Sequence, residues 1–268
     1  MNELDRIADR NKNWWQRLVD EECGFTQPWL NLTKKEIVSY CSGELKNHDQ
    51  LQNMFPAQIL NNVGGKEVLC LASGGGQQSV VFGLLGADVT VVDFSERQLV
   101  GDRSAADHYG YQVTTILSDM RELSSLEDNS FDLVYQAPSM SYIPEVKAVY
   151  SEVGRMLKPG GFYRVAHTNP AVEFVDLDSW DGEGYRIRLP YSVKKVEYGE
   201  AESIQFRHYL HEIFNGLIEE GFSIQQVLEA PYHIESLTQA EPGTWEHSQI
   251  YIPWIFAIVA QKIQDTND

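Results

Sequence analysis

Apolar residues along the chain follow two rhythms. Over residues 1–62 they recur at helical spacing, with a break near Gln27-Pro28, which predicts a helical N-terminal segment. The turn cluster Asn61-Asn62-Val63-Gly64-Gly65 ends it. Short continuous apolar runs then alternate with amphipathic stretches. Residues 67–72, 88–93, 111–117, 131–136 and 162–167 read as strands buried on both faces. Between them, residues 77–85 read as a helix, and Ser95 caps a second that ends at Gly110. A third spans 144–157 with Pro144 in its first turn. Lys158-Pro159-Gly160-Gly161 is a tight turn into the fifth strand.

This alternation predicts an α/β fold, a mostly parallel sheet with helices on both faces. Residues 169–204 lose the rhythm and read as an insertion over the carboxyl edge of the sheet. A helix over 205–220, a strand over 222–228 and a last strand over 251–260 follow. The expected organisation is a helical cap, 1–62, and a core, 63–268, with a substrate-side insertion at 169–204.

Charge narrows the partners. The chain has 268 residues, with 21 basic and 39 acidic side chains, a net charge of −18. Such a surface repels phosphate backbones and anionic membranes, so nucleic acid is not the expected substrate, and a neutral or cationic molecule is favoured. Cys23, Cys41 and Cys70 lack paired or metal-ligand spacing, and the histidines are scattered, so neither a disulfide framework nor a metal is expected. The first residues are charged and lack an apolar leader core, and no apolar run reaches membrane-span length. A soluble cytoplasmic protein is expected; the oligomeric state is left open.

In an open α/β sheet, ligands bind beyond the carboxyl ends of the strands. After the first strand comes Ser73-Gly74-Gly75-Gly76, whose glycines let a backbone approach a ligand closely. Twenty residues after Ser73, at the end of the second strand, stands Asp93, an offset suited to gripping a ribose diol. Asp119, after the third strand, is placed to accept from an adenine amine. The loop after the fourth strand, from Gln136-Ala137, faces the same ligand.

Taken together, VLCLASGGGQQS, VVDFS, SDMREL and LKPGGF resemble the motifs of class I S-adenosylmethionine (SAM)-dependent methyltransferases, over roughly residues 64–168. The resemblance implies a Rossmann-like sheet whose last strand is antiparallel, with SAM as cofactor and S-adenosylhomocysteine as product. It implies cofactor contacts from Ala72, Ser73, Gly74, Gly76 and Gln77, and from Asp93, Phe94, Ser95 and Gln98. Asp119, Met120, Arg121, Gln136 and Ala137 complete that set. Phe206-Arg207-His208-Tyr209-Leu210-His211-Glu212-Ile213 and Pro253–Ile258 resemble a bacterial methyltransferase-11-like branch acting on small molecules. That branch is similar to enzymes that N-methylate the terminal arginine of azole-modified peptides. The family pattern has an acid where Cys70 stands and glycine where Ala72 stands. Gln136-Ala137-Pro138-Ser139 also departs from the motif of DNA amino-methyltransferases.

Methyl transfer is an in-line displacement from an activated donor, so alignment carries much of the catalysis. The acceptor is expected to be a small molecule or modified peptide, methylated at nitrogen or oxygen. An acceptor that must lose a proton can use a base, for which Tyr142, His167 and His208 are the candidates. Substrate contacts are expected from Trp14, Trp15, Trp29, Asn169 and Tyr185, with Tyr191 and Asp176 more simply read as a solvated loop. Helix-to-sheet packing is an equal alternative reading of the tryptophans. Two rivals remain: a nicotinamide-dependent oxidoreductase, to which Tyr191-x-x-x-Lys195 superficially points, and a non-catalytic SAM-binding protein.

Overall fold

The computed structural model describes residues 3–46, 48–172, 175–197, 199, 202–230 and 239–264. The N-terminal segment holds helix α1 (Glu3–Asp20) and helix α2 (Lys34–Cys41), followed by 3-10 turns at Leu51–Met54 and Ala57–Leu60. Thr33 starts α2 with a reciprocal capping box: its hydroxyl accepts from the Glu36 N–H and the Glu36 carboxylate accepts from the Thr33 N–H. This segment is no detached unit. Trp29, Leu32, Ile37, Leu51 and Leu60 share one apolar cluster with Val68, Cys70 and Phe82.

The core then alternates as the pattern predicts. It runs β1 (Glu67–Leu71), α3 (Gln78–Leu85), β2 (Asp88–Asp93), α4 (Glu96–Tyr109), β3 (Val113–Leu117), β4 (Phe131–Gln136), α5 (Val146–Met156) and β5 (Leu157–Thr168). Two hairpins, β6 (Val175–Asp176) with β7 (Arg186–Ile187) and β8 (Lys195–Glu197) with β9 (Ile204–Phe206), form the insertion. Helix α6 (Leu210–Glu219), β10 (Phe222–Glu229), a short helix Trp245–Ser248 and β11 (Ile255–Lys262) complete it. The seven-stranded sheet has the order β10-β11-β5-β4-β1-β2-β3. Strands β1 to β5 are parallel, and β11 runs antiparallel to both neighbours. This is the mostly parallel sheet with an antiparallel last strand that the resemblance implies. β1 buries four of its five residues, each apolar side chain contributing about 1.5–3 kcal/mol.

Several boundaries differ from the pattern. Pro144 precedes the helix, whose cap is Glu145. Lys158-Pro159-Gly160-Gly161 does not stand before the fifth strand but forms a bulge within β5, where the pairing register with β4 shifts. The helix expected from 205 begins at Leu210, because β9 takes residues 204–206 and the Glu212 carboxylate accepts from the Tyr209 N–H at 2.9 Å. Residues 251–254 form a turn before β11. Ser95 occupies the cap of α4, but its hydroxyl makes no capping bond. Instead the Asp93 carboxylate accepts from the Ser95 N–H at 2.9 Å.

Candidate active site

The strand order reverses at β1, which lies between β4 and β2, and the loops after these strands open onto a cavity of about 460 Å³. At one end the chain leaves β1 through Ala72, which holds φ +46°, a left-handed conformation that a side chain resists. Gly75 and Gly76 continue in the same half of the map, at +113° and +75°. The turn then packs on α4 backbone to backbone. A Cβ on Gly76 would come within 2.6 Å of the Gly101 carbonyl oxygen, and one on Gly101 within 2.9 Å of Gly75.

Two buried carboxylates hold this turn. Asp93 accepts from the Gly74 N–H at 3.1 Å as well as from Ser95. Asp102, on α4, accepts from the Gly75 N–H at 2.9 Å, the Gly76 N–H at 3.1 Å and the Ser79 hydroxyl at 2.5 Å. Burial pushes Asp93 up to about 6, against the pull of the N–H groups of Ser95 and Gly74. Burial likewise pushes Asp102 up to about 7, with the Ser79, Gly75 and Gly76 donors opposing and the Asp93 charge adding. Asp102 was not legible in the sequence, where an acid on a helix reads as solvated surface.

Most of the expected cofactor residues meet here. Ala72, Ser73, Gly74 and Gln77 line the cavity, as do Asp93, Phe94 and Gln98, and Asp119, Met120, Arg121 and Ala137. Asp119 is chelated by its own neighbour: Arg121 Nε and Nη donate to its two oxygens at 2.9 and 2.6 Å. Gly76, Ser95 and Gln136 stand behind the wall. Gln136 donates to the Ser139 hydroxyl at 2.9 Å and accepts from Tyr163, fixing the loop after β4. Ser73 Oγ, Gln78 Oε1, Ser95 Oγ and Gln98 Oε1 are sealed without a hydrogen-bond partner among the described residues. Unmet polar groups around a glycine turn and a carboxylate fit a ligand rich in hydroxyl and amino groups, as SAM is.

The other end of the cavity is walled by rings. Helix α1 crosses it, presenting Ile7, Ala8 and Trp15 from one face. It is anchored by Asn11, whose amide donates to the carbonyls of Tyr142 and Ile204 at 3.2 and 3.0 Å and accepts from the Ile204 N–H at 2.7 Å. Trp15 meets Tyr142 edge to face at 5.7 Å, and both line the cavity. Trp29 lines it too, its backbone N–H donating to the Gly76 carbonyl at 2.9 Å. Trp14 does not; it lies under the Arg17 guanidinium, 4.6 Å away. Trp245, Trp254, Phe55 and Arg164 line this end and were not singled out in the sequence; an arginine inside an apolar strand was the available signal.

Neither histidine reaches the cavity. His167 pairs with the Tyr150 hydroxyl at 2.9 Å and stacks on Phe256, and burial drives it down to about 3. His208 precedes α6 and donates from Nε2 to the Met140 carbonyl at 2.9 Å, with burial lowering it. Both border a separate void of about 10 Å³, beside Asn169. The Asn169 side chain donates to the Pro253 carbonyl and accepts from the Ala171 N–H. Tyr185 is bound to His247 Nδ1 at 2.6 Å, in a cluster with Trp180 and Tyr251 away from the cavity wall. Tyr191 lies in a turn and Lys195 in β8, so the Tyr-x-x-x-Lys spacing is not carried by a helix.

A family model described as a methyltransferase domain matches residues 69–165, the stretch that builds β1 to β5. The uncharacterized methyltransferase YbaJ of Bacillus subtilis is 36% identical over 237 residues, covering 84% of this chain and 89% of its own. The chain belongs to the class I SAM-dependent methyltransferases. A solved SAM-dependent methyltransferase from Mesorhizobium loti has the same fold. It shows a TM-score of 0.62 and 24% identity, with 76% of this chain and 94% of that one covered. So does geranyl diphosphate C-methyltransferase from Streptomyces coelicolor, solved with Mg2+, geranyl diphosphate and S-adenosylhomocysteine. Its TM-score is 0.60 at 14% identity, covering 87% and 85%. SAM is therefore the methyl donor of this methyltransferase, and the nicotinamide reading falls. Among the described residues no helix is long and apolar enough to cross a membrane.

Proposed function

We propose that this methyltransferase transfers the methyl group of SAM to nitrogen or oxygen of a small molecule enclosed between the glycine turn and the aromatic wall. One observation carries the reading: Asp93 and the glycine turn share a single cavity with Trp15, Tyr142, Trp245 and Trp254. At about 460 Å³ that cavity is near the lower end of ligand sites, about 300–1,000 Å³, which favours a compact acceptor over a folded protein. When bound, SAM supplies an electrophilic methyl group. Asp93 grips the ribose hydroxyls, and Ser73, Gln98 and Met120 surround the rest of the donor. Residues 1–62 act as the cap that excludes water from the reacting groups.

Tyr142 is a titratable group at the acceptor end. Burial raises its pKa, so its phenol stays protonated and donates a hydrogen bond to the acceptor rather than removing a proton. His167 and His208, being outside the cavity, serve the fold in this reading.

Calorimetric titration of SAM into wild type and Asp93→Ala tests the site. Two hydrogen bonds to a charged acceptor contribute about 1.5–3 kcal/mol each, so the variant should bind at least about 100-fold more weakly. Equal affinities would remove Asp93 from the cofactor site.

A further inference from the structure

Arg164 is 1% exposed, on β5, in the wall of the cavity with Ala166 and Thr168 from the same strand face. Its guanidinium lies against two rings, 4.9 Å from the centre of Phe55 and 4.5 Å from that of Tyr135. Nε donates to the Phe55 carbonyl at 2.9 Å, and one Nη donates to the Gln136 carbonyl at 3.2 Å. Among the described residues no carboxylate pairs with it. Among the described residues the second Nη has no hydrogen-bond partner, and the residue lines the cavity.

The other arginine in the wall, Arg121, is neutralised by Asp119. Among the described residues Arg164 has no such counter-charge. Burying an ion costs several kcal/mol unless a partner repays it. Two carbonyl oxygens supply only part of that return. Burial lowers its pKa, yet a guanidinium remains protonated at any ordinary pH. With two rings packed on the guanidinium, recognition falls to its N–H donors, and a planar fork of donors matches a carboxylate. The same cavity is lined by Trp245 and Trp254, edge to face at 5.9 Å, which suit a flat apolar body.

We infer that the methyl acceptor is an apolar, ring-bearing molecule with one carboxylate-type anion, which Arg164 receives at the aromatic end of the cavity. This rests on the reading that the glycine-turn end takes SAM and the aromatic end takes the acceptor. It reverses the expectation of a cationic substrate drawn from net charge. Net charge acts at long range and is screened over about 8–10 Å, whereas the cavity wall sets the local field.

The test compares 1-naphthoate with its neutral isostere 1-naphthamide, titrated into wild-type protein with and without saturating S-adenosylhomocysteine. Naphthoate should bind at least about tenfold more tightly than the amide to the saturated protein. Arg164→Met should reduce that preference to less than about threefold and leave S-adenosylhomocysteine affinity unchanged. Equal binding of the two probes by saturated wild type overturns the inference, whether or not the variant folds. A loss of S-adenosylhomocysteine affinity in the variant, with no naphthoate preference in wild type, assigns the guanidinium to the donor's own carboxylate and also overturns it. Failure of S-adenosylhomocysteine to bind wild type would sink the site reading instead, with the naphthoate preference of free protein still deciding whether Arg164 is an anion site.

Discussion

Gly101 offers a sharp test of how the cofactor turn is held. In the interior of α4, replacing glycine by alanine normally stabilises a helix by about 1 kcal/mol. Here the added Cβ would sit 2.9 Å from the Gly75 carbonyl carbon and oxygen and 3.0 Å from its Cα. Ordinary contact begins at 3.4 Å, so the turn must move away from α4 by about 0.5 Å (3.4 minus 2.9). Asp102 is on the same helix, so that movement stretches its bonds to the Gly75 and Gly76 N–H groups from 2.9 and 3.1 Å toward the edge of hydrogen-bonding range. Each bond to a charged acceptor contributes about 1.5–3 kcal/mol. Partial loss of both outweighs the helix gain, for a net destabilisation of about 1–3 kcal/mol. Urea denaturation reads that figure, and calorimetry should show S-adenosylhomocysteine binding weakened at least about tenfold. Ser104→Ala, exposed on the same helix, is the control and should be neutral or slightly stabilising. If Gly101→Ala proves more stable than wild type and binds the product with unchanged affinity, close packing of the turn on α4 is not what shapes the site.

Two further outcomes follow from the site. His167 is held near 3, below its unfolded value of 6.5, so its neutral form favours folding above about 6.5 and that stability is lost as pH falls toward 3. The loss is on the order of several kcal/mol, and His167→Phe, which keeps the stacking on Phe256, should lessen the fall measured by urea melts across that window; an unchanged acid limb would contradict the burial argument. Trp254→Ala should raise KM for the acceptor at least about fivefold, with SAM affinity within about twofold of wild type; the reverse split would exchange the two ends of the cavity.

The legible parts of the molecule were those written as contiguous pattern. β2 and β4 match the predicted ranges because each is an apolar run buried on both faces and bounded by turns. Asp93 was legible because its position follows from where β2 ends. What escaped depends on contacts distant in sequence. The onset of α6 depends in part on Asn11, whose bonds to Ile204, 193 residues away, fix the backbone where β9 begins. His167 looked like a base at a strand end, but strand alternation turns it away from Arg164, Ala166 and Thr168, into the opposite cluster with Tyr150 and Phe256.

Asp102 gives physical sense to the departure at β1. The family resemblance implies an acid where Cys70 stands, beneath the glycine turn. Cys70 is fully buried, with its thiol pushed well up by burial and by the Asp102 charge, so it supplies neither charge nor strong acceptor. The acceptor instead comes from α4. Asp102 takes the two N–H groups of Gly75 and Gly76, together with the Ser79 hydroxyl in the first turn of α3. Two carboxylates close to one another under one turn would repel, and Asp102 already feels Asp93. A third acid at position 70 would raise that cost further. A neutral residue at 70 and an acid at 102 therefore form one arrangement. Restoring Asp at 70 without removing Asp102 would place another buried charge beside them and destabilise the turn it was meant to support.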